Sequence, residues 1–165
     1  MLDAFTFSEP DRIPVVYPPS PAGLHVHGRK LLDLFNAYPP DNAITFDDIP
    51  GPPPGTVDDA GRYHELRTDE WGTTWEYLIF GVHGHPRGYP FMDWKAAADY
   101  AFPDYPVMGS EAFLQEKAAV ARERREHLPF RGWVSLFEKV CSLHPFDEVL
   151  MSIAARDPDF LAFMD

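Results

Sequence analysis

Apolar residues recur at helical spacing in several separate segments of the chain. Segment 28–37 carries leucine and phenylalanine on one face, and segments 136–143 and 146–155 show the same period. Asp93, Ser110 and Asp157 are typical N-cap residues ahead of further helical segments. Helices are therefore predicted over residues 28–37, 93–101, 110–127, 136–143, 146–155 and 157–165.

β-Branched and aromatic residues concentrate in segment 73–80, which is the clearest strand candidate. Residues 69–72, Asp-Glu-Trp-Gly, are a turn signal, so segment 62–68 is expected to pair with that strand as a β-hairpin. Asp69 and Glu70 are interpreted as turn residues that bond local N–H groups. Strands alternating with helices indicate an α/β fold with a parallel core. Shorter strands are predicted over residues 12–17, 43–46 and 128–135.

Proline punctuates the chain, with 18 prolines among 165 residues. Pro14 confines the first predicted strand to a sheet edge or to the start of a barrel. The proline- and glycine-rich segment 50–62 predicts a long loop on the surface or over a site. Hydrophobic residues make up 45% of the chain and aromatic residues 15%, which predicts one folded domain over residues 1–165 with an aromatic-rich core.

Charge and composition narrow the classes of partner. The net charge of −12 and the isoelectric point of about 4.8 argue against binding to nucleic acid or to an anionic membrane. The sequence has no run of about 18 apolar residues and no secretory leader pattern at its start. Its single cysteine, Cys141, excludes an internal disulfide and is predicted to be a small buried hydrophobic residue. A cytoplasmic location is therefore expected.

Two His-x-His pairs invite a metal interpretation, because imidazoles two apart on a strand point to the same side and can ligate zinc. They are His25 with His27 and His83 with His85. A zinc-dependent hydrolase that uses His25 and His27 is one hypothesis. Both pairs lie beside glycine or proline, so the alternative is that they are loop histidines donating to backbone carbonyls. No metal ligand is assigned from the sequence.

The order of several short segments resembles that of a known superfamily. An acidic-aromatic-glycine turn and strand at 69–76 is followed by a Gly/His loop at 81–86, a Pro-x-x-Asp-Trp helix start at 90–94 and a Phe-Pro-Asp stop at 102–104. This order resembles the N-terminal half of the uroporphyrinogen-decarboxylase-like superfamily, which includes corrinoid- and thiol-linked methyltransferases. The resemblance implies the N-terminal portion of a (β/α)8 barrel with an inserted β-hairpin and a proline-rich loop.

A complete barrel of this kind needs about 250 residues, whereas this chain has 165. We therefore expect the barrel to be incomplete and its pattern to continue beyond Asp165. A half-barrel leaves strand edges unpaired, so a homodimer or a partner that supplies the missing strands is expected. A non-catalytic binding or assembly module is accordingly one of the functional alternatives.

The resemblance also implies candidate site residues. Asp48, in the segment Phe-Asp-Asp-Ile, is similar in position to the substrate-organising carboxylate of the decarboxylases and is the candidate catalytic residue. A carboxylate there accepts hydrogen bonds from pyrrole N–H groups and stabilises developing positive charge. The alternative is that the acids at 47–48 cap a turn. The candidate substrate-binding residues are Arg29, His83, His85, Arg87 and Trp133.

The decarboxylases carry an Arg-Gln-Ala-Gly-Arg run near their N-terminus that binds substrate carboxylates, and this chain does not. The expected activity of the intact protein is therefore transfer of a methyl group between a corrinoid carrier and a thiol or similar acceptor. This branch implies zinc and a corrinoid, with the zinc ligands in the C-terminal half of the barrel. Uroporphyrinogen decarboxylation, which needs no cofactor, is the alternative. Either branch acts on a small molecule or a corrinoid protein.

Overall fold

Seven α-helices, one 3-10 helix and one three-stranded sheet make up the regular structure of the described residues. The computed structural model describes residues 2–17, 20–41, 47–104, 107–124 and 135–165. It consists of a first unit, Met1–Pro52 with Tyr105–Gly132, and a second unit, Pro53–Asp104 with Trp133–Asp165. In chain order the elements are α1 (Leu2–Phe5), α2 (Pro21–His27), α3 (Arg29–Ala37), β1 (Glu65–Thr68), β2 (Thr74–Tyr77), β3 (His85–Gly88), the 3-10 helix (Trp94–Asp99), α4 (Glu111–Glu123), α5 (Leu136–Leu143), α6 (Phe146–Ala155) and α7 (Pro158–Met164).

The first unit has a small apolar cluster between α2 and α3. Leu24 and Leu32 are buried, and Tyr17 and Phe35 pack against them with their rings stacked at a centroid distance of 5.2 Å. The hydroxyl oxygen of Ser20 caps α2 by accepting a hydrogen bond from the backbone of the first turn. Leu32 and Phe35 of the apolar face predicted for segment 28–37 are therefore packed in this cluster, whereas Leu34 is 52% exposed.

The prediction of a strand at 12–17 is wrong, because no residue of this segment belongs to a sheet. Its backbone is held instead by Asp41, whose Oδ2 accepts from the N–H of Val15 at 2.8 Å and whose N–H donates to the carbonyl of Val15. Arg12 pairs with the same carboxylate. The Val15 N–H and the Arg12 guanidinium together lower the pKa of Asp41. Pro14 lacks the N–H that a continuous ladder would need.

The second unit contains the sheet, in which β2 lies between β1 and β3 and both pairings are antiparallel. Glu65 faces Tyr77 across the first pair, and Glu76 faces His85 across the second. The hairpin predicted around residues 69–72 is confirmed. The third strand, β3, was not predicted, because its residues were expected to belong to a loop.

Parallel pairing was expected, but every strand pair in the described residues is antiparallel. The predicted strand 43–46 lies outside the described residues. Of segment 128–135 only Ser135 is described, and it caps α5 rather than ending a strand. The incomplete barrel therefore stays a prediction.

The core of the second unit is rich in aromatic side chains, as the composition predicted. Trp94 is 7% exposed, and its indole N–H donates to the hydroxyl of Ser152 at 2.8 Å. His144 is buried beside Trp94, with the centroids of the two rings 4.1 Å apart. Nδ1 of His144 is 3.2 Å from the carbonyl oxygen of Phe91. The buried residues of this cluster are Phe91, Trp94, Ala97, Val140, Leu143, Val149 and Phe160.

The helix predictions are confirmed for α3, α5 and α6 and for the capped start of α7. Ser110 caps α4 and Asp93 caps the 3-10 helix, as expected. The segment after Asp93 forms a 3-10 helix of six residues instead of a longer α-helix. The structure gives α4 as Glu111–Glu123, and residues 125–127 of the predicted helix lie outside the described residues. None of the helices within the described ranges has the length and apolar character needed to cross a membrane.

Candidate functional site

The turn between β1 and β2 is organised by one carboxylate. Oδ1 of Asp69 accepts from the N–H groups of Trp71 at 2.9 Å and Thr73 at 3.0 Å. Its Oδ2 accepts from the indole N–H of Trp75 at 2.8 Å. Gly72 adopts a φ of 78°, which glycine accommodates without strain. The interpretation of Asp69 as a turn residue is therefore confirmed, and Asp69 is no candidate for chemistry.

A charged group that the sequence analysis missed lies on the sheet itself. The carboxylate of Glu76 on β2 contacts Nε2 of His64 at 3.0 Å through Oε1 and Nε of Arg87 at 2.9 Å through Oε2. Its side chain is 22% exposed, against 54% for His64 and 66% for Arg87. We call these three residues the Glu76 cluster. It brings together residues from beside β1, from β2 and from β3, including the predicted Arg87.

His83 and His85 lie near this cluster but have different neighbours. The ring of His83 packs on Trp75 at a centroid distance of 4.7 Å, whereas His85 is opposite Glu76 in the strand register. Trp75 and Glu76 are consecutive in β2, so their side chains project to opposite faces of the sheet. The two imidazoles therefore have partners on different faces, which does not favour a shared metal ion.

Gly84, between these histidines, is buried where the backbone passes close to β2. A Cβ atom there would lie 2.8 Å from the carbonyl oxygen of Glu76 and 3.1 Å from the ring of Tyr77. Such contacts are too short for any larger residue to fit without a backbone shift. Close packing thus accounts for this glycine without any metal.

The residues described here do not fit the zinc ion that the resemblance implies. No group of three or more His, Cys, Asp or Glu side chains in the described ranges is placed to hold a metal. His25 and His27 lie in helix α2, where residues two apart are separated by about 200° around the axis. The strand geometry assumed for that pair is therefore wrong. Cys141 is half-buried, and burial, followed by the charge of Glu138, raises its thiol pKa.

Asp48 and Arg29 belong to the first unit, and both are exposed. Asp48 Oδ1 accepts a hydrogen bond from the N–H of Ile49 at 2.7 Å. One oxygen of this carboxylate therefore bonds to the adjacent backbone, as the turn-capping alternative expected. Arg29 donates to Asp33 at 3.0 Å, one helical turn away. Trp133 lies outside the described residues. His83, His85 and Arg87 belong to the second unit.

The proline-rich loop borders a pocket of about 490 Å³ in the second unit. His64 of the Glu76 cluster lines this pocket, together with Arg62 and half-buried Tyr63. Arg62 is held by Asp58, whose pKa is lowered by the Arg62 N–H and by its guanidinium. Burial, followed by a hydrogen bond to Glu65, raises the pKa of Tyr63 to about 12. The loop therefore borders this pocket, and its predicted role over a site stays a prediction.

Comparisons of the chain with models of known protein families, with curated proteins and with solved structures gave no match. The functional argument therefore depends on the residues themselves and on their geometry.

Proposed function

We propose that this chain is the N-terminal part of a uroporphyrinogen-decarboxylase-like protein. In its intact form, that protein transfers a methyl group between a corrinoid carrier and a thiol or similar acceptor. Asp48, in the first unit, is the proposed catalytic carboxylate. Because the described residues hold no donor set for zinc, the proposal assigns no step to a metal.

The segments that carry the family resemblance support this proposal by their order along the chain, and all of them lie in the second unit. Three local features lie along one continuous piece of the chain. They are the turn at 69–72, the close approach of Gly84 to β2, and the cap that Asp93 provides for the 3-10 helix. The hydroxyl of Tyr100 donates to the carbonyl of Trp71 at 2.8 Å and ties the end of that piece to its beginning.

The net charge of the chain is the observation that favours methyl transfer over decarboxylation. Uroporphyrinogen carries eight carboxylates, so its binding needs unpaired cations, and the net charge of −12 would repel it. A corrinoid instead presents mostly neutral amides, which donate to carboxylates and accept from guanidinium groups.

Asp48 is suited to an amide-rich ligand. Its Oδ1 accepts from Ile49, and its Oδ2 accepts no hydrogen bond from the residues that the structure describes. A side-chain amide of a corrinoid would supply the missing donor. Neighbouring Asp47 is also exposed and offers a matched control of the same charge.

The test is a calorimetric titration of the chain with hydroxocobalamin and, separately, with uroporphyrin, the stable oxidised form of the decarboxylase substrate. We expect saturable binding of the corrinoid that Asp48→Asn weakens by about threefold or more, while Asp47→Asn leaves it unchanged. Saturable binding of uroporphyrin alone would instead assign the chain to the decarboxylase branch. Equal effects of the two substitutions would remove Asp48 from the site.

A second candidate function, assembly without catalysis, is favoured by an apolar stripe on α6. Phe146, Leu150 and Ile153 follow helical spacing and are 54%, 43% and 45% exposed. Light scattering over a concentration series tests this alternative. A dimer that Leu150→Glu dissociates and Ala155→Glu, on another face of α6, does not would support assembly through the stripe. A monomer at every concentration would exclude self-assembly.

A further inference from the structure

A groove in the second unit, separate from the candidate site, lies between the 3-10 helix and α7. Its volume is about 230 Å³, which is small for a drug-sized ligand and suits a single small metabolite. The alanines on its walls leave space that larger side chains would fill. The groove is lined by Trp94, Lys95, Ala97, Ala98, Phe102, Asp159, Ala162 and Phe163.

Aromatic rings form the apolar part of this groove. Trp94 belongs to the buried core, and Phe163 packs on it with ring centroids 5.4 Å apart. Phe102 lies 6.1 Å from Phe163 with its ring nearly parallel, at 17°, and is 56% exposed. An aromatic ring of a ligand that covers Phe102 would add to this stack and remove apolar surface from water.

Two opposite charges line the same groove from its two sides. Lys95 is on the 3-10 helix, and Asp159 is in the first turn of α7. Neither takes part in an ion pair with any residue in the described ranges. A ligand that carries both an acidic and a basic group is therefore complementary to this groove.

We propose that the groove binds a small zwitterion with an aromatic body, of which an aromatic α-amino acid is the simplest case. The ring stacks beside Phe102 and Phe163, the ligand carboxylate pairs with Lys95, and its ammonium group pairs with Asp159. This binding site is independent of the proposed methyl transfer.

The experiment is a titration of the isotope-labelled full chain with L-phenylalanine, followed by the backbone amide signals of the groove in NMR spectra. We expect saturable shifts at Lys95, Ala98 and Ala162. N-acetyl-L-phenylalaninamide has the same ring without either charge and is expected to bind at least about threefold more weakly. Equal binding of the two compounds, or shifts located elsewhere, would overturn the proposal.

Matched variants distinguish the contribution of the Lys95 and Asp159 charges to ligand binding from the effect of removing any surface charge. Lys95→Met and Asp159→Asn are each expected to weaken binding about threefold. Lys117→Met changes an exposed lysine on α4, and Asp147→Asn changes the acid at the corresponding position in the first turn of α6. Both controls are expected to bind as the unaltered chain does. An equal loss in the controls would contradict the assignment of the rim charges.

Filling the groove provides a test that does not depend on charge. Ala98 is exposed, so Ala98→Trp is expected to abolish the shifts while the chain stays folded. Ala162→Leu, from the opposite wall, is the second variant in case the first disturbs the 3-10 helix. Retention of full binding by a folded filling variant would show that the ligand binds elsewhere.

Discussion

The hydroxyl group of Thr73 donates a hydrogen bond of 2.8 Å to the carbonyl oxygen of Ser142. Both residues are buried, at 0% and 5% exposure, although they lie 69 positions apart in the sequence. The bond therefore connects the β1–β2 hairpin to helix α5 at a position shielded from solvent. Because a buried acceptor without a donor is costly, this contact helps to fix the hairpin against the helical core.

Thr73→Val keeps the shape of the side chain but leaves the Ser142 carbonyl without its donor. We expect it to lower the free energy of unfolding by about 1–3 kcal/mol, measured by urea denaturation. Thr73→Ser keeps the hydroxyl and should lose less. A valine variant as stable as the unaltered chain would show that the hydrogen bond contributes nothing net.

Asp69→Ala removes the acceptor for two backbone N–H groups and for the Trp75 indole. We expect a loss of about 2 kcal/mol in the free energy of unfolding, because hydrogen bonds to a charged group exceed neutral ones. Glu70→Ala, at the exposed neighbour, should change stability by less than about 0.5 kcal/mol. Similar losses in both variants would refute the turn-organising role of Asp69.

Gly84→Ala places a methyl group 2.8 Å from the Glu76 carbonyl oxygen. The strand must shift to admit it, so we expect a destabilisation of about 1–3 kcal/mol in chemical denaturation. A methyl group added at Gly51 would meet no atom within 4 Å, and Gly51→Ala should be neutral or slightly stabilising. A Gly84→Ala chain of unchanged stability would mean that β2 and the Gly84 loop are not packed this closely.

Tyr63 should ionise at a higher pH than an ordinary tyrosine, since its pKa is raised to about 12 by burial and by its hydrogen bond to Glu65. An unfolded tyrosine ionises near pH 10. The contribution of Tyr63 to stability is thus fully present below about pH 10 and is lost as the pH rises towards 12. Tyrosinate absorbance should show a late step that Tyr63→Phe removes and Tyr38→Phe retains. Loss of that step in the Tyr38 variant instead would contradict the assignment.

The helices and the hairpin were predictable because their signals are local. The apolar period of α3, the caps at Ser110 and Asp157 and the turn at 69–72 each act within a few residues. Segment 12–17 was predicted wrongly because its backbone is held by Asp41, a contact between distant positions that no local pattern reveals.

The Glu76 cluster was missed for a related reason. His64, Glu76 and Arg87 meet only through the register of three strands, one of which was expected to be a loop. An alternation count along 74–77 would have identified Glu76 as a polar residue on one sheet face, but not its partners. The unpaired state of Lys95 and Asp159 is likewise a property of tertiary packing and not of sequence spacing.

The proposed function is tested most directly by equilibrium dialysis of the chain against equal concentrations of hydroxocobalamin and uroporphyrin. The spectrum of the retained ligand identifies which one is bound. Our account predicts retention of the corrinoid, since the net charge of −12 repels a polycarboxylate. Retention of uroporphyrin, or of neither compound, would contradict it.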